Sequence, residues 1–139
     1  ASAVVGRTRD RLTEGAKSSL SGLLGGADTE LTARKVYDAA ADGDELALEI
    51  VDETARWLGI GITSLVHALD PGVVTLGGAM NFGGAGCEIG QRFLKGITNE
   101  FQGRTFDNVF EGTSISFASL GADAGYLGVA GYARKQAIK

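Results

Sequence analysis

Apolar residues recur at helical spacing over most of this chain and at strand spacing in only two short runs. Val4, Val5 and Leu12 give a rough stripe over 2–12, a first helix that Ser2 can cap and Gly15 can end. Residues 16–31 mix serines and glycines with scattered leucines and read as an irregular loop. Thr32 is placed to cap a short helix through position 41, with Val36, Tyr37 and Ala40 facing inward. Gly43 stops it and Asp44 starts the longest helix, over 45–69. There Leu48, Val51, Ala55, Leu58, Ile62, Leu65 and Leu69 recur at spacings of three and four. A further helix is predicted over 88–101, with Ile89, Phe93, Leu94 and Ile97 on its apolar side, and a last one over 123–137.

The two strand-like runs lie between these helices. Val73-Val74-Thr75-Leu76 is nearly all apolar and short, the pattern of a strand buried on both faces in a parallel sheet. Residues 113–118 alternate apolar and polar, as expected of a strand covered on one face. A helix between two strands makes them parallel, so the expected order is α-α-α-β-α-β-α. Two strands make a poor sheet. Either the chain oligomerises through strand edges, or the rest of its sheet lies outside it.

Glycine usage is unusual, with 22 glycines against one proline in 139 residues. Gly77 and Gly78 end the first strand at its carboxyl edge, where open α/β sheets bind their ligands. Lacking Cβ atoms, they let a ligand approach the backbone, although a tight turn is the plainer use of the same pair. Gly59 and Gly61 interrupt the longest helix, which suggests another helix crossing there at short distance. The last helix is the candidate partner, because Gly121, Gly125 and Gly128 draw a side-chain-free strip along it.

A formal net charge of −4 argues against nucleic acid as a partner. Cys87 is the only cysteine, which rules out an internal disulfide and a cysteine-cluster zinc site and fits a reducing compartment. No run is apolar for long enough to span a bilayer. Ser64, His67 and Asp70 mimic a hydrolase triad in spacing only, since all three fall on one face near a helix end with no oxyanion hole in view. Asp70 before Pro71 reads as a helix terminator, Asp123 as a favourable charge at a helix start, and Cys87 as inert. Met80 and Phe82 suit either an adenine pocket or an ordinary core.

Taken together, Leu58-Gly59-Ile60-Gly61-Ile62, Leu69-Asp70-Pro71, the strand with Gly77-Gly78-Ala79, and residues 118–130 with Leu120-Gly121-Ala122-Asp123-Ala124-Gly125 resemble the carboxyl-terminal half of a ROK-family protein, the sugar kinases and repressors of the glucokinase type. The resemblance implies an α/β fold, the carboxyl-terminal part of an actin-like ATPase (ribonuclease H-like) lobe, with two parallel strands. It also implies that residues 1–139 are one nucleotide-side piece of a larger protein, in keeping with a start at Ala1. By the same resemblance Gly77, Gly78, Ala79, Met80 and Asn81 border the nucleotide. The family often has a third glycine where Ala79 stands, and the loop over 81–86 is longer than usual.

The family's amino-terminal phosphate loop, its sugar-binding Asn-Asp with the catalytic aspartate, and its zinc motif have no match here. A kinase needs a base for the sugar hydroxyl and groups that cradle the transferred phosphoryl. The expected activity is therefore that of a fragment of an ATP-dependent hexose kinase, inactive alone. Its cofactors in the intact protein would be ATP and Mg²⁺, its substrate a hexose, its state a homo-oligomer and its location the cytoplasm. The alternatives are the effector part of a sugar-responsive ROK repressor, and an interaction module that pairs through an exposed strand edge.

Overall fold

The computed structural model describes residues 1–24, 30–78 and 81–138. Six helices and two strands alternate in the order α1 (Ser2–Thr13), α2 (Ala33–Ala41), α3 (Glu45–Leu69), β1 (Val73–Leu76), α4 (Glu88–Gln102), α5 (Asp107–Gly112), β2 (Ser114–Phe117) and α6 (Ala124–Ala137). The helix starts follow local chemistry. Thr32 accepts the Lys35 amide at the head of α2, and Asp44 accepts the Ala47 amide at the head of α3. Asp70 ends α3 in the left-handed region at φ 47°, and Pro71 cannot continue the helix. No helix among the described residues is long and apolar enough to cross a membrane.

Asp44 has a second role that the expectation of an irregular loop over 16–31 missed. Its carboxylate also accepts the Ser19 amide at 2.7 Å and the hydroxyls of Ser18 and Ser19. These bonds dock a 3₁₀ turn, Ser19–Leu23, against the start of α3 and bury Leu20. Leu31 is buried as well, while 25–29 of that expected loop lie outside the described residues.

The core lies where α3 crosses α4. Ile50, Val51, Ala55, Ile62 and Val66 of α3 pack with Phe93, Ile97 and Phe101 of α4, closed by Val4 from α1 and Val36 from α2. The expected apolar stripe of α3 is only half right, because Leu58, Leu65 and Leu69 are exposed. The buried face is built from smaller groups, including Ala47, Thr54, Gly59 and Thr63, which admit a close neighbour.

Gly59 supplies the closest approach. A Cβ there would lie 2.8 Å from Glu100 Cβ and 2.9 Å from the Ile97 carbonyl oxygen, both on α4. From the other side, a Cβ on Gly96 would sit 2.9 Å from Ala55 Cβ. A crossing at Gly59 is thus present, but the partner is α4 and not the last helix. Among the described residues, beyond the helix's own backbone, nothing lies within 4 Å of a Cβ placed on Gly61, Gly125 or Gly128, and every described residue of 123–138 is exposed.

β1 and β2 pair in parallel, Val73 opposite Ser114 and Leu76 opposite Phe117. Val74, Leu76, Ile115 and Phe117 turn towards the core, whereas Val73, Thr75, Ser114 and Ser116 are exposed. The expectation that β1 is buried on both faces is therefore corrected: α4 covers one face, and among the described residues nothing covers the other. The polar connection before β2 contains α5, whose Phe110 packs on Phe101 with ring centroids 6.1 Å apart.

Gly59→Ala should destabilise the fold by ~1–3 kcal/mol, as overpacking against backbone does. Gly61→Ala, in open helix surface, should stabilise it by ~0.5–1 kcal/mol, both read by urea denaturation. Asp44→Ala should cost ~1–2 kcal/mol in the same assay, the usual range for a lost N-cap. Burial alone would raise the Asp44 pKa, but the Ala47 and Ser19 amides and the two serine hydroxyls together hold it below the usual carboxylate range. Its contribution is therefore fully present above the unfolded-state pKa of about 4 and fades as pH falls through the lower folded value. Wild-type and Asp44→Ala stabilities should converge in acid, and a gap that stayed constant with pH would refute this role.

Candidate functional site

The carboxyl end of β1 is bare backbone. Gly77 and Gly78 are both exposed, and a Cβ on Gly77 would find its nearest neighbour, Ala118 Cβ, at 3.9 Å. Gly78 adopts φ +94°, a conformation that L side chains rarely adopt, and the space where its Cβ would point is open. At the adjoining end of β2 the chain also turns through a left-handed glycine, Gly121 at φ 54°. Both strands thus end in glycine turns on the edge where parallel sheets present ligands. Ala79 and Met80 lie outside the described residues.

Asn81 re-enters as a half-buried residue whose side-chain oxygen accepts the Gly83 amide at 3.2 Å. That bond leaves the Asn81 amide nitrogen free to donate. Asn81, Phe82 and Gly83 form one side of a cleft of about 610 Å³, Ala33, Arg34 and Tyr37 of α2 form another, and Ala1 also lines it. The volume is within the range of small-molecule sites. Gly77 and Gly78 are not among the residues lining this cleft; they stand four and three residues upstream of Asn81 in its wall.

Each wall has its own scaffold. On α2, the Arg34 guanidinium lies 5.3 Å from the centroid of the Tyr37 ring and is held by Asp38 at 2.9 Å. Across the cleft, Phe82 is buried against Phe93 of α4, with centroids 4.8 Å apart. Phe82 thus serves the core and also lines the cleft, so the two uses open to it from the sequence are not exclusive. Positive φ at Phe82, Gly83 and Gly84 folds the loop back towards α4. Gly90 has no Cβ because the Gly84 carbonyl occupies that space.

Cys87 ties this loop down. Its sulfur accepts the Gly90 amide at 3.2 Å, capping α4, and its thiol donates to the Phe82 carbonyl at 3.1 Å. Sequence reasoning gave this residue no role, since cysteine is an uncommon cap and its partners are local backbone. The Tyr37 hydroxyl faces the same loop: a Cβ on Gly83 would stand 3.0 Å from it and would overlap the Cys87 sulfur. The nearby Cys87 side chain raises the phenol above its usual range, burial acts in the same direction, and Arg34 opposes them. Tyr37 therefore keeps its proton at neutral pH. The inward orientation expected for Tyr37 is thus partial: it stands half-buried at the edge of the core, facing the loop. Arg34 was missed, and only its place one turn before an aromatic on the same helix hinted at a shared surface.

The hydrolase-like trio is not assembled. Ser64 donates to the Ile60 carbonyl within its helix, and His67 pairs with Thr105 at 3.1 Å. Among the described residues no group of three His, Cys, Asp or Glu could hold a metal ion. Asp123 precedes α6 without a side-chain cap bond.

The chain is 36% identical over 98 residues to a glucokinase of Halalkalibacterium halodurans, which covers 70% of this chain and 28% of that protein. It is 27% identical over 99 residues to a xylose repressor of Caldicellulosiruptor bescii, covering 71% of this chain and 23% of the repressor. Its structure matches a ROK family glucokinase from Streptomyces griseus, solved in complex with glucose and AMPPNP, at a TM-score of 0.71 and 26% identity. That match covers 96% of this chain and 42% of the glucokinase, so the chain spans less than half the length of each of these relatives. The fold shared with the sugar kinases is that of the actin-like ATPases. The model of the ROK family matches residues 13–136, nearly the whole chain, and the chain belongs to that family.

Proposed function

We propose that this chain is the carboxyl-terminal, nucleotide-side part of an ATP-dependent hexose kinase of the glucokinase type. The observation that carries the reading is the bare, exposed backbone of Gly77 and Gly78 at the carboxyl end of β1, next in sequence to a cleft large enough for a nucleoside. A nucleotide laid along that strand end would meet amides and carbonyls with no side chain in the way. Gly77, Gly78, Ala79, Met80 and Asn81 are the residues proposed to border it, with Arg34 and Tyr37 opposite. Arg34 adds a positive charge on the side where polyphosphate would approach.

The phosphoryl-transfer step itself needs a base for the sugar hydroxyl. None of the described residues in the cleft is a carboxylate or histidine, so binding and orientation are what this chain supplies. Magnesium neutralises charge on the transferred phosphates in such reactions, and its ligands would come mainly from the phosphates and water. A hexose, a cytoplasmic location and a homo-oligomeric state complete the proposal for the intact protein.

The similarity to a xylose repressor supports a second reading, in which the same lobe serves a sugar-responsive regulator. The higher identity to a glucokinase and the open strand end favour the kinase.

Isothermal titration of the chain with ATP tests the site. Gly77→Val should lower ATP affinity tenfold or more, because a branched side chain would fill the approach to the strand end. It should leave the urea midpoint nearly unchanged, since the nearest neighbour of a Cβ there is 3.9 Å away. Equal ATP affinity in the two proteins would remove Gly77 from the site. In a coupled assay with glucose and ATP the chain alone should give no turnover, and measurable turnover would refute its dependence on a base supplied elsewhere.

A further inference from the structure

The sides of the cleft differ in charge. Arg34, on α2, is the one charged side chain among the described residues that line it. The loop side offers only the Asn81 carboxamide, the buried Phe82 ring and the bare backbone of Gly83. A nucleotide carries its charge on the phosphates and ends in a flat, neutral base. With the phosphates drawn towards Arg34, the base falls to the loop side. Asn81 is the only side chain there with hydrogen-bonding groups.

The Asn81 carboxamide has a fixed polarity. Its oxygen accepts the Gly83 amide at 3.2 Å, and its backbone carbonyl accepts the Gly84 amide at 2.9 Å. A backbone N–H can bond only to the oxygen end, so the other end is the amide nitrogen. That nitrogen lies over Gly84, 3.4 Å from where a Cβ would stand, and bonds to no described residue. Nor is it a buried atom without a partner, so solvent or a ligand can reach it. Acceptors on the same side are largely used, the Asn81 carbonyl by Gly84 and the Phe82 carbonyl by the Cys87 thiol. The loop therefore presents a donor and little that accepts.

We propose that Asn81 reads the base of the nucleotide, its amide nitrogen donating one hydrogen bond to a ring nitrogen of the purine. The inference rests on the nucleotide reading given above and deepens it. The site recognises a purine by an acceptor within the ring, and the exocyclic 6-amino group, itself a donor, goes unread. Purine ring nitrogens on the edges of the base are acceptors, so the base supplies the group that Asn81 requires.

The test measures binding to the whole chain by isothermal titration. The ligands are ATP, its 1-deaza, 3-deaza and 7-deaza analogues, and purine riboside triphosphate, which lacks the 6-amino group. Each deaza analogue replaces one ring nitrogen by C–H and keeps the charge of ATP. One of the three should bind wild type about fivefold more weakly than ATP, the usual size for one lost hydrogen bond. Purine riboside triphosphate should bind within about threefold of ATP. Asn81→Asp keeps an acceptor for the Gly83 amide but has no N–H to give. Its negative charge weakens every triphosphate alike, so the comparison is made within the variant. There ATP and the sensitive analogue should bind equally, as two changes to one contact require. The same equality is expected of Asn81→Ala, which serves if the aspartate variant does not fold.

Equal binding of ATP and all three deaza analogues by wild type would overturn the base-reading role. A deaza loss that persists in both Asn81 variants would assign the contact to another group and overturn it as well. A loss of about tenfold or more with purine riboside triphosphate would overturn the unread 6-position. Each of these results leaves the nucleotide reading standing, because ATP still binds. No ATP binding by the wild type would remove that reading, and this inference with it.

Discussion

The close crossing of α3 and α4 sets the rest of the structure. Each helix contributes one glycine to the contact, Gly59 against Ile97 and Glu100, and Gly96 against Ala55. The helices meet almost backbone to backbone, and large side chains above and below the crossing then interdigitate as core. Ion pairs flank it on the surface, with Arg92 bidentate on Asp52 at 2.6–2.7 Å and Glu100 between Arg56 and Arg104. Those exposed pairs are each worth ~1 kcal/mol or less. Without the glycines the crossing would open by about a methyl group, and every element carried by α4 would shift with it.

What α4 carries is the candidate site. Its first turn receives the Cys87 cap and the Gly84 carbonyl, and its Phe93 receives Phe82. The loop that forms one wall of the cleft is therefore an extension of the core. The aromatic pair alone is worth ~0.5–1.5 kcal/mol beyond its buried area. The other wall, α2, is fixed by Val36, Ala39 and Ala40 in the same core. Both walls are thus fixed by packing without a ligand, as preorganised binding requires.

Much of this was legible in the sequence, and the limits have physical causes. Thr32 and Asp44 were readable as caps because a side-chain oxygen before an amphipathic run has few other uses. Periodicity gave α3 and α4 their lengths but did not choose the face of α3, since Leu58, Leu65 and Leu69 are more apolar than the alanines and threonines that are buried. What selects the buried face is the room that Gly59 leaves for α4, a property of two segments together. The same blindness assigned the crossing to the last helix, which is richer in glycine than α4. α5, six residues long, has too few turns to show a period. The approach of Tyr37 to Gly83 joins residues 46 positions apart, and neither residue carries a local mark of the other.

The two parallel strands end alike and continue differently. β1 leads through Gly77 and Gly78 towards a loop fastened to α4, whereas β2 leads through Gly121 into α6. Tyr126, Val129 and Tyr132 of α6 are all more than 60% exposed, and none of its residues is buried. Its three glycines, Gly125, Gly128 and Gly131, each lower helix propensity by ~1 kcal/mol relative to alanine. A helix of that composition draws its stability from packing, and within the described residues it has almost none. On the proposed reading, affinity for a nucleotide comes from the β1 side, where the strand end is held by its pairing with β2. Within this chain the β1 end is fixed by the core while α6 is not, so the two glycine-turn ends differ in how far packing has set them.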